Sequence, residues 1–381
     1  MHLLVAAGYI GKFGETDGVV TTWHNLLQRL SRSDIQTTLI AYGPEDSVEK
    51  IGSATIITHR PRLAVKIDPI RWIDAGFFYT RTAHYINSQK FDLVQTSTPD
   101  PMGLAAVNHA RRNGIPSIAV YHTALDHYAR IRISKSLGTA IGNTAGRITH
   151  NWLNYYFNKT DLVLAPSEAV KKNISEKIRV PIEILGRGID CNKFNPSKRS
   201  RISGKICALY VGRIAPEKNL QLLVKLLKDR PDIEFMAVGD GPYLTEMKRS
   251  LPQGIFPGRL SGDELVRAYA DADMFLFPSH TDTFGNVVLE AMASGLPAVV
   301  TGSLGPKEIV SDGIDGFVAR SDEEFGQALD RLAEDSGLRT SMRKAARIAA
   351  EKKTWDNIYE KLCGCYKRLC PAFKDTFNAA A

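Results

Sequence analysis

The tightest constraint in this sequence is one twenty-residue stretch, Pro278 to Pro297, together with the apolar run before it. Met274 to Phe277 is uninterrupted, apolar and strand-length. Pro278 and Ser279 end it, and a polar loop carrying Asp282 follows. An apolar helix is expected from about Phe284 to Ser294, closed by Gly295 at the cap position. Strand, loop, helix and returning strand make one βαβ unit of a parallel sheet. Ligands of such sheets sit where strand ends meet helix starts. The first amides of the helix, around Phe284, Gly285, Asn286 and Val287, are donors without helical partners and carry partial positive charge. Gly285 lets a ligand press against the backbone. Glu290 lies eight residues beyond Asp282, roughly 9 Å along the helix axis from Phe284. Two acids so separated can hold the two ends of an extended polar ligand. Equally, Asp282 can simply cap the helix, with Glu290 an ordinary helix residue.

A second constellation lies upstream. Ile206–Val211 reads as a strand running into Gly212, Arg213, Ile214, Ala215, Pro216, Glu217, Lys218 and Asn219, with a helix beginning near Glu217. Arg213 offers a planar fork and Lys218 a mobile point charge, a combination suited to a diphosphate. Phe235–Val238 is a further strand, followed by a tight glycine turn at Gly239 to Pro242.

Taken together, the acid-x7-acid stretch and the Gly-Arg…Glu-Lys-Asn stretch resemble the retaining, nucleotide-sugar-dependent glycosyltransferases of family 4. The resemblance covers about residues 1–368 and is stronger in the second half. It implies an α/β chain of the GT-B fold: two Rossmann-like, doubly wound domains facing across a cleft, with a final helix crossing back to the first. The expected division is an acceptor-side domain over 1–196, joined by the crossing helix 355–370, and a nucleotide-sugar domain over 205–354. In that family Glu290 would hold the ribose hydroxyls, and Arg213 and Lys218 the donor diphosphate. Asp282 and the helix-start amides of Phe284, Gly285, Asn286 and Val287 would hold the donor sugar. Gly239 would lie near the diphosphate, and the backbone around Phe256 would read the nucleobase. Asp282 stands where the family more often has Glu. Gly305–Val310 and Gly313–Phe317 complete the pattern. The subgroup most resembled includes glycolipid-building mannosyl-, glucosyl- and sulfoquinovosyl-transferases.

The first half reads less sharply. His2–Ala6 is a strand, Ala7–Asp17 a glycine-bearing polar loop, and Gly18 opens a helix with apolar residues at helical spacing. Strand, glycine loop and helix start make another anion seat. No GxGxxG is present, which argues against an ordinary dinucleotide fingerprint. By the resemblance, Gly18 would lie against the donor diphosphate or the acceptor. Gln36–Ala41, Ala54–Thr58, Asp92–Thr96, Ser117–Tyr121 and Asp161–Ala165 are strand-like, and Ser167 caps a helix from about Glu168. His122 stands at a strand end, where side chains face a ligand crevice. The resemblance places it beside the donor sugar; alone, it reads as a packed core histidine. Ser197–Gly204 is polar, basic and unpatterned, and reads as a linker. Helices are expected over Asp322–Glu334, Leu338–Ala350 and Trp355–Leu369, with a loose tail after Pro371.

Charge supplies one more clue. The 381 residues carry 49 Lys and Arg against 41 Asp and Glu. Residues 1–195 hold 23 of the basic and 16 of the acidic residues, +7, leaving 26 (49 − 23) against 25 (41 − 16), +1, for the rest. A one-sided excess suits an anionic partner. Arg130, Arg132, Lys135 and Arg147, with no acid over 128–150, precede Trp152, Tyr155, Tyr156 and Phe157; Arg60, Arg62, Lys66 and Arg71 flank Trp72, Phe77 and Phe78. Basic residues interleaved with aromatics suit an anionic membrane surface; two helices with solvated basic faces give the same pattern, and nucleic acid is not expected. Five scattered cysteines fit a reducing compartment. Neither a membrane span nor a metal cluster is evident, so a cytoplasmic chain is expected, peripheral at most on the membrane face.

The expected function is transfer of a hexose-type sugar from a nucleotide diphosphate sugar, UDP- favoured and GDP- possible, to a hydroxyl of a lipid, lipid carrier or glycan. Catalysis would involve His122, Arg213, Lys218 and Asp282, without metal or cofactor. A nucleotide-sugar 2-epimerase of the same fold and a silent sugar-nucleotide binder are the alternatives, and an NAD oxidoreductase is a poor fourth.

Overall fold

The computed structural model describes residues 1–9, 18–60, 64–66, 72–74, 80–122, 124–201, 204–371 and 373. It divides into two compact units, Met1–Gly186 with Ile358–Ala381, and Arg187–Asn357.

The first unit is built on an eight-stranded sheet. In chain order its elements are β1 (His2–Tyr9), α1 (Gly18–Leu30), β2 (Gln36–Tyr42), β3 (Ser47–Ile51), β4 (Ala54–His59), β5 (Ala64–Lys66), β6 (Trp72–Asp74) and α2 (Thr80–Asn87). Then come β7 (Leu93–Thr96), α3 (Pro101–Asn113), β8 (Ser117–Val120), α4 (Leu125–Leu137), α5 (Thr139–Phe157), β9 (Leu162–Ala165), α6 (Glu168–Ser175) and β10 (Ile182–Ile184). The strand order is β10-β9-β8-β7-β1-β2-β4-β3, parallel except for β3, which runs antiparallel on β4. β5 and β6 form a separate antiparallel pair. The inner strands are buried without alternation, as in a parallel sheet covered on both faces: Leu3 to Ala7, Leu39 to Ala41 and Leu162 to Ala165. β3 has no such burial; all five of its residues are exposed. Local chemistry sets the helix ends. The Asp100 carboxylate accepts from the Gly103 amide at 2.8 Å. Pro101 opens α3, and Gly114 closes it in the left-handed region, each in the position its backbone suits. Ser167 caps α6 as its position predicts.

The second unit follows the same logic with a wholly parallel six-stranded sheet. Its elements are β11 (Ile206–Val211), α7 (Leu220–Leu227), β12 (Ile233–Val238), α8 (Leu244–Ser250), β13 (Ile255–Gly258), α9 (Gly262–Asp271) and β14 (Met274–Phe277). They continue with α10 (Asn286–Ala293), β15 (Ala298–Thr301), β16 (Gly316–Ala319), α11 (Asp322–Glu334) and α12 (Ser336–Glu351). The order is β13-β12-β11-β14-β15-β16. The chain winds outward from β11 to β13, returns beside β11 as β14, and winds the other way. The topological reversal therefore falls between β11 and β14.

The segment 197–201 is tied into this unit. Ser200 and the Arg201 amide bond the Asp271 carboxylate, and the Arg199 guanidinium reaches Asp273 at 3.0 Å and the Ala272 carbonyl oxygen at 2.8 Å. α13 (Trp355–Leu369) begins in the second unit, and from Ile358 onward belongs to the first. There Tyr366 donates to Gln95 and Arg368 pairs with Glu183. The tail after Pro371 lies almost wholly outside the described residues.

Candidate functional site

Both acid and base constellations of the second unit emerge at the β11/β14 reversal, where an open α/β sheet leaves a crevice. Past β11 the chain is pinned by Tyr210, whose buried hydroxyl donates to the Arg213 carbonyl oxygen at 2.9 Å. Pro216–Lys218 is a single 3-10 turn, not the start of the α-helix expected near Glu217. Asn219 takes the left-handed conformation, φ 54°, and α7 begins only after it. Asn tolerates that region better than most side chains. The break aims Lys218 back into the site instead of along a helix face.

Its partner is Asp282, 64 residues away past the end of β14. The Lys218 ammonium donates to both carboxylate oxygens, at 2.9 and 2.7 Å. The two side chains are 10% and 23% exposed, so the pair is largely withdrawn from water. Arg213 is half exposed and lies 3.4 Å from the Glu217 carboxylate. Both cations that the sequence offers to a diphosphate are therefore paired with carboxylates.

α10 starts at Asn286, two residues later than the sequence suggests, because Gly285 takes φ 97° as its N-cap. That conformation favours glycine. A Cβ there would also lie 3.2 Å from Pro306 Cγ. Asn286 and Val287 occupy the first turn, whose amides have no acceptors within the helix. Phe284 packs partly against the core. The loop is backed by Gly305, where a Cβ would meet the Thr283 carbonyl oxygen at 2.2 Å. The adjacent Leu304 is held at φ 49°, a conformation costly to a side chain with a Cβ.

Glu290 falls four residues after Asn286, about 6 Å along the axis rather than about 9 Å. It accepts from the buried Tyr269 hydroxyl at 2.7 Å. Burial raises its pKa above the usual carboxylate range, against the Tyr269 hydrogen bond and the charge of Lys193, which lower it. The spacing of the two acids hinted at Glu290, but nothing in the sequence pointed to Tyr269. Nor did it single out His280, which bonds Ser303 at 2.8 Å and approaches Asn219 at 3.4 Å.

Gly239 has a backbone reason to be glycine. It sits at φ 142°, and a Cβ would lie 1.9 Å from the carbonyl oxygen of Gly212. The turn after β12 and the Arg213 loop are further joined by Ile214 N–H to Asp240 O and Tyr243 N–H to Ile214 O. Phe256, on β13, packs edge-on against Phe235 at 6.4 Å between ring centroids.

Two candidate residues belong to the first unit. Gly18 is the first residue of α1, and its carbonyl oxygen accepts from Thr22. His122 is half-buried, two residues beyond β8. The rest of the loop before Gly18, residues 10–17, lies outside the described residues, as do Arg62, Arg71, Phe77 and Phe78 and the side chains of Lys66, Trp72, Arg132 and Lys135. Among the described residues, no group of three or more His, Cys, Asp or Glu is placed to hold a metal ion.

Comparison with known proteins decides the family. Residues 16–193 match the description Glycosyltransferase Family 4, and residues 192–349 match Glycosyl transferases group 1. A GDP-mannose-dependent alpha-mannosyltransferase of Mycolicibacterium smegmatis is 32% identical over 289 residues, 73% of this chain and 74% of that protein. The chain belongs to glycosyltransferase family 4. A mannosyltransferase of the same name from Corynebacterium glutamicum is 28% identical over 92% of this chain and 85% of that one. The sulfoquinovosyl transferase of Arabidopsis thaliana is 32% identical over 70% of this chain and 54% of that protein. Among solved structures, the sucrose-phosphate synthase of Thermosynechococcus elongatus superposes with a TM-score of 0.77 at 17% identity, covering 98% of this chain and 99% of that one. HepE of Anabaena, crystallised with UDP, gives 0.72 at 17% identity over 97% and 100%. The fold of this glycosyltransferase is GT-B, as its motifs implied. Membership sets aside the epimerase, silent-binder and dehydrogenase readings.

Proposed function

We propose that this glycosyltransferase moves a hexose from a nucleoside diphosphate sugar to a hydroxyl of a lipid-type acceptor, with retention at the anomeric carbon and without a metal. The observation that carries the reading is the Lys218–Asp282 pair at the β11/β14 reversal, beside Arg213 and the first turn of α10. In the proposal Arg213, Lys218 and the amides of Asn286 and Val287 take the charge of the departing diphosphate. These cations do the work of a divalent ion. Asp282 orients Lys218 and accepts from a hydroxyl of the donor sugar. Glu290, kept in place by Tyr269, accepts from the ribose. Gly239 and Gly285 leave space for phosphate against backbone, and Phe256 marks the strand whose backbone meets the base. No side-chain nucleophile is required: the acceptor hydroxyl attacks on the face that the diphosphate leaves, and a diphosphate oxygen takes its proton. Gly18 and His122 keep the roles the resemblance implies, diphosphate or acceptor contact and support of the oxocarbenium-like state.

For the base, relatives named for GDP-mannose support GDP over the UDP favoured from sequence. Relatives named for alpha-monoglucosyldiacylglycerol synthesis, such as that of Acholeplasma laidlawii, support a lipid acceptor. Thermal-shift titration with GDP, UDP and ADP tests the donor site, since a ligand of the native state raises Tm. No shift with any of the three, or near-normal sugar transfer after Arg213→Ala with Lys218→Ala, would overturn the assignment.

A further inference from the structure

In the described part of the first unit, α5 carries an apolar stripe that its own packing leaves in water. On α5, Ile141, Ile148, Trp152 and Tyr155 are 52%, 66%, 37% and 54% exposed, and Leu137, the last residue of α4, is 63% exposed. The α5 residues fall at i, i+7, i+11 and i+14, one stripe of a 3.6-residue helix about 21 Å long. The stripe is not the seam between α4 and α5. That seam runs along Gly142 and Gly146, where the helices approach so closely that a Cβ on Gly142 would lie 2.0 Å from Ser134 Oγ and 2.7 Å from the Arg130 carbonyl oxygen. Nor does it face the core, which takes Leu153, Tyr156 and Phe157. Trp152 donates its indole N–H to the Pro99 carbonyl oxygen at 2.7 Å, which satisfies its polar edge internally. Its ring lies 5.8 Å from that of Tyr155, and the Lys159 ammonium sits 4.7 Å over the Tyr155 ring.

Charge selects the occupant. From 127 to 160 the chain carries Arg130, Arg132, Lys135, Arg147 and Lys159, and no Asp or Glu. Arg130 and Arg147 are exposed. The carboxylate just before this run, Asp126, is engaged by His150 at 2.9 Å. A second copy docked isologously would set these cations against themselves. An anionic lipid surface accepts both halves of the face: the aliphatic and aromatic side chains enter the headgroup boundary, and the cations stay among phosphates.

We propose that the α4–α5 hairpin is the membrane-docking surface of this enzyme, with Leu137, Ile141, Ile148, Trp152 and Tyr155 entering an anionic bilayer along the side of α5. It rests on the proposed function only in explaining why a lipid-modifying enzyme would need it, and its test uses no substrate. Wild type and Ile141→Glu/Ile148→Glu are sedimented with vesicles of phosphatidylcholine alone and of phosphatidylcholine with phosphatidylglycerol. Both substituted residues are more than half exposed, so the fold is expected to stand, which an unchanged Tm verifies. The wild type is expected to pellet with the anionic vesicles and much less with the neutral ones. The variant should lose at least about tenfold in partitioning, since two apolar side chains are replaced by anions that an anionic surface repels. Arg130→Gln/Arg147→Gln should lose less, and its residual binding should depend less on salt. Equal pelleting of the glutamate variant and wild type overturns the proposal. So does a wild type that ignores both vesicles, or a wild-type dimer in solution that the glutamates split into monomers. The nucleotide thermal shift is measured on both proteins: its absence from the wild type bears on the donor site alone, and its retention in the variant isolates the membrane result.

Discussion

Replacing Lys218 by Met and Asp282 by Asn, singly and together, separates a structural strut from a substrate seat. Lys218→Met leaves a carboxylate that is 23% exposed facing a thioether. Removing one partner of a fully buried pair costs about 3–5 kcal/mol. The water that Asp282 retains lowers this to about 2–3 kcal/mol, by the same reasoning that makes exposed pairs weak. A domain the size of the second unit shifts its Tm by about 2–4 °C per kcal/mol, so a fall of about 5–10 °C is expected. Asp282→Asn leaves an ammonium beside an amide oxygen and should cost less, about 1–2 kcal/mol. The double variant removes both charges. Neutral replacement of such pairs is often nearly free, so its stability should return to within about 1 kcal/mol of wild type, a coupling of about 2–5 kcal/mol. Sugar transfer should behave differently. Lys218 loss removes a charge from the leaving diphosphate, worth about 10²–10³ in rate. Both variants that lack Lys218 should therefore be slow, including the one with restored stability, and Asp282→Asn should be slow for want of its contact to the donor sugar. A double variant that regains turnover along with its Tm would make the pair a strut only. Additive Tm losses would mean that the two side chains are not in contact.

Three further outcomes follow from the same geometry. The Glu290 carboxyl has its pKa raised in the folded chain by burial, so between the unfolded and folded values the native state binds more proton than the unfolded chain. Stability is then expected to fall as pH rises from the unfolded value through the folded one. Glu290→Gln should flatten that fall in a Tm-versus-pH series, raise Tm at neutral pH, and shrink the nucleotide thermal shift. Gly239→Ala places a Cβ 1.9 Å from a backbone oxygen that cannot swing away. Soluble yield and Tm should drop as for losses above about 4 kcal/mol. Gly285→Ala meets the Pro306 ring at 3.2 Å and keeps a left-handed φ. The expected cost is about 1–2 kcal/mol, with a larger proportional loss of nucleotide affinity by calorimetry.

What was legible in the sequence follows from how locally it was encoded. β14, β11 and α13 appear at the predicted residues because apolar run length and capping fix them without reference to the rest of the chain. α10 and the turn before α7 differ by a few residues, and in each case a left-handed residue, Gly285 or Asn219, interrupts a helix that propensity would start earlier. β3 went unread because Ser47–Ile51, fully exposed, shows no buried face; it pairs with β4 across the Gly52–Ser53 turn. At the site, Arg213, Lys218, Asp282 and Glu290 could each be singled out by type and spacing. That Lys218 closes on Asp282, and that Tyr269 supports Glu290, are contacts 64 and 21 residues apart. They depend on β14 returning beside β11, a property of strand order that no local pattern carries.

The same strand order brings Asp282 to Lys218, beside a local Arg213–Glu217 pair, and so sets the charge balance of the site. Lys218 is matched by Asp282 and Arg213 by Glu217, so a diphosphate entering between them meets two carboxylates as well as two cations. Asp282 is then a repulsive neighbour until a sugar hydroxyl engages it. A carboxylate about 6 Å from a phosphate charge is disfavoured by about 3 kcal/mol at an effective dielectric constant of ~20. Part of this is recovered because the same carboxylate fixes Lys218. Asp282→Asn should therefore bind bare GDP or UDP more tightly, by about 1.4 kcal/mol or tenfold, even as it transfers sugar more slowly. Calorimetry with the nucleoside diphosphate and with the nucleotide sugar separates the two effects: the variant's gain should be confined to the bare diphosphate. Weaker binding of bare diphosphate by the variant would mean that Asp282 serves the phosphates through Lys218, and that its repulsive role must be given up.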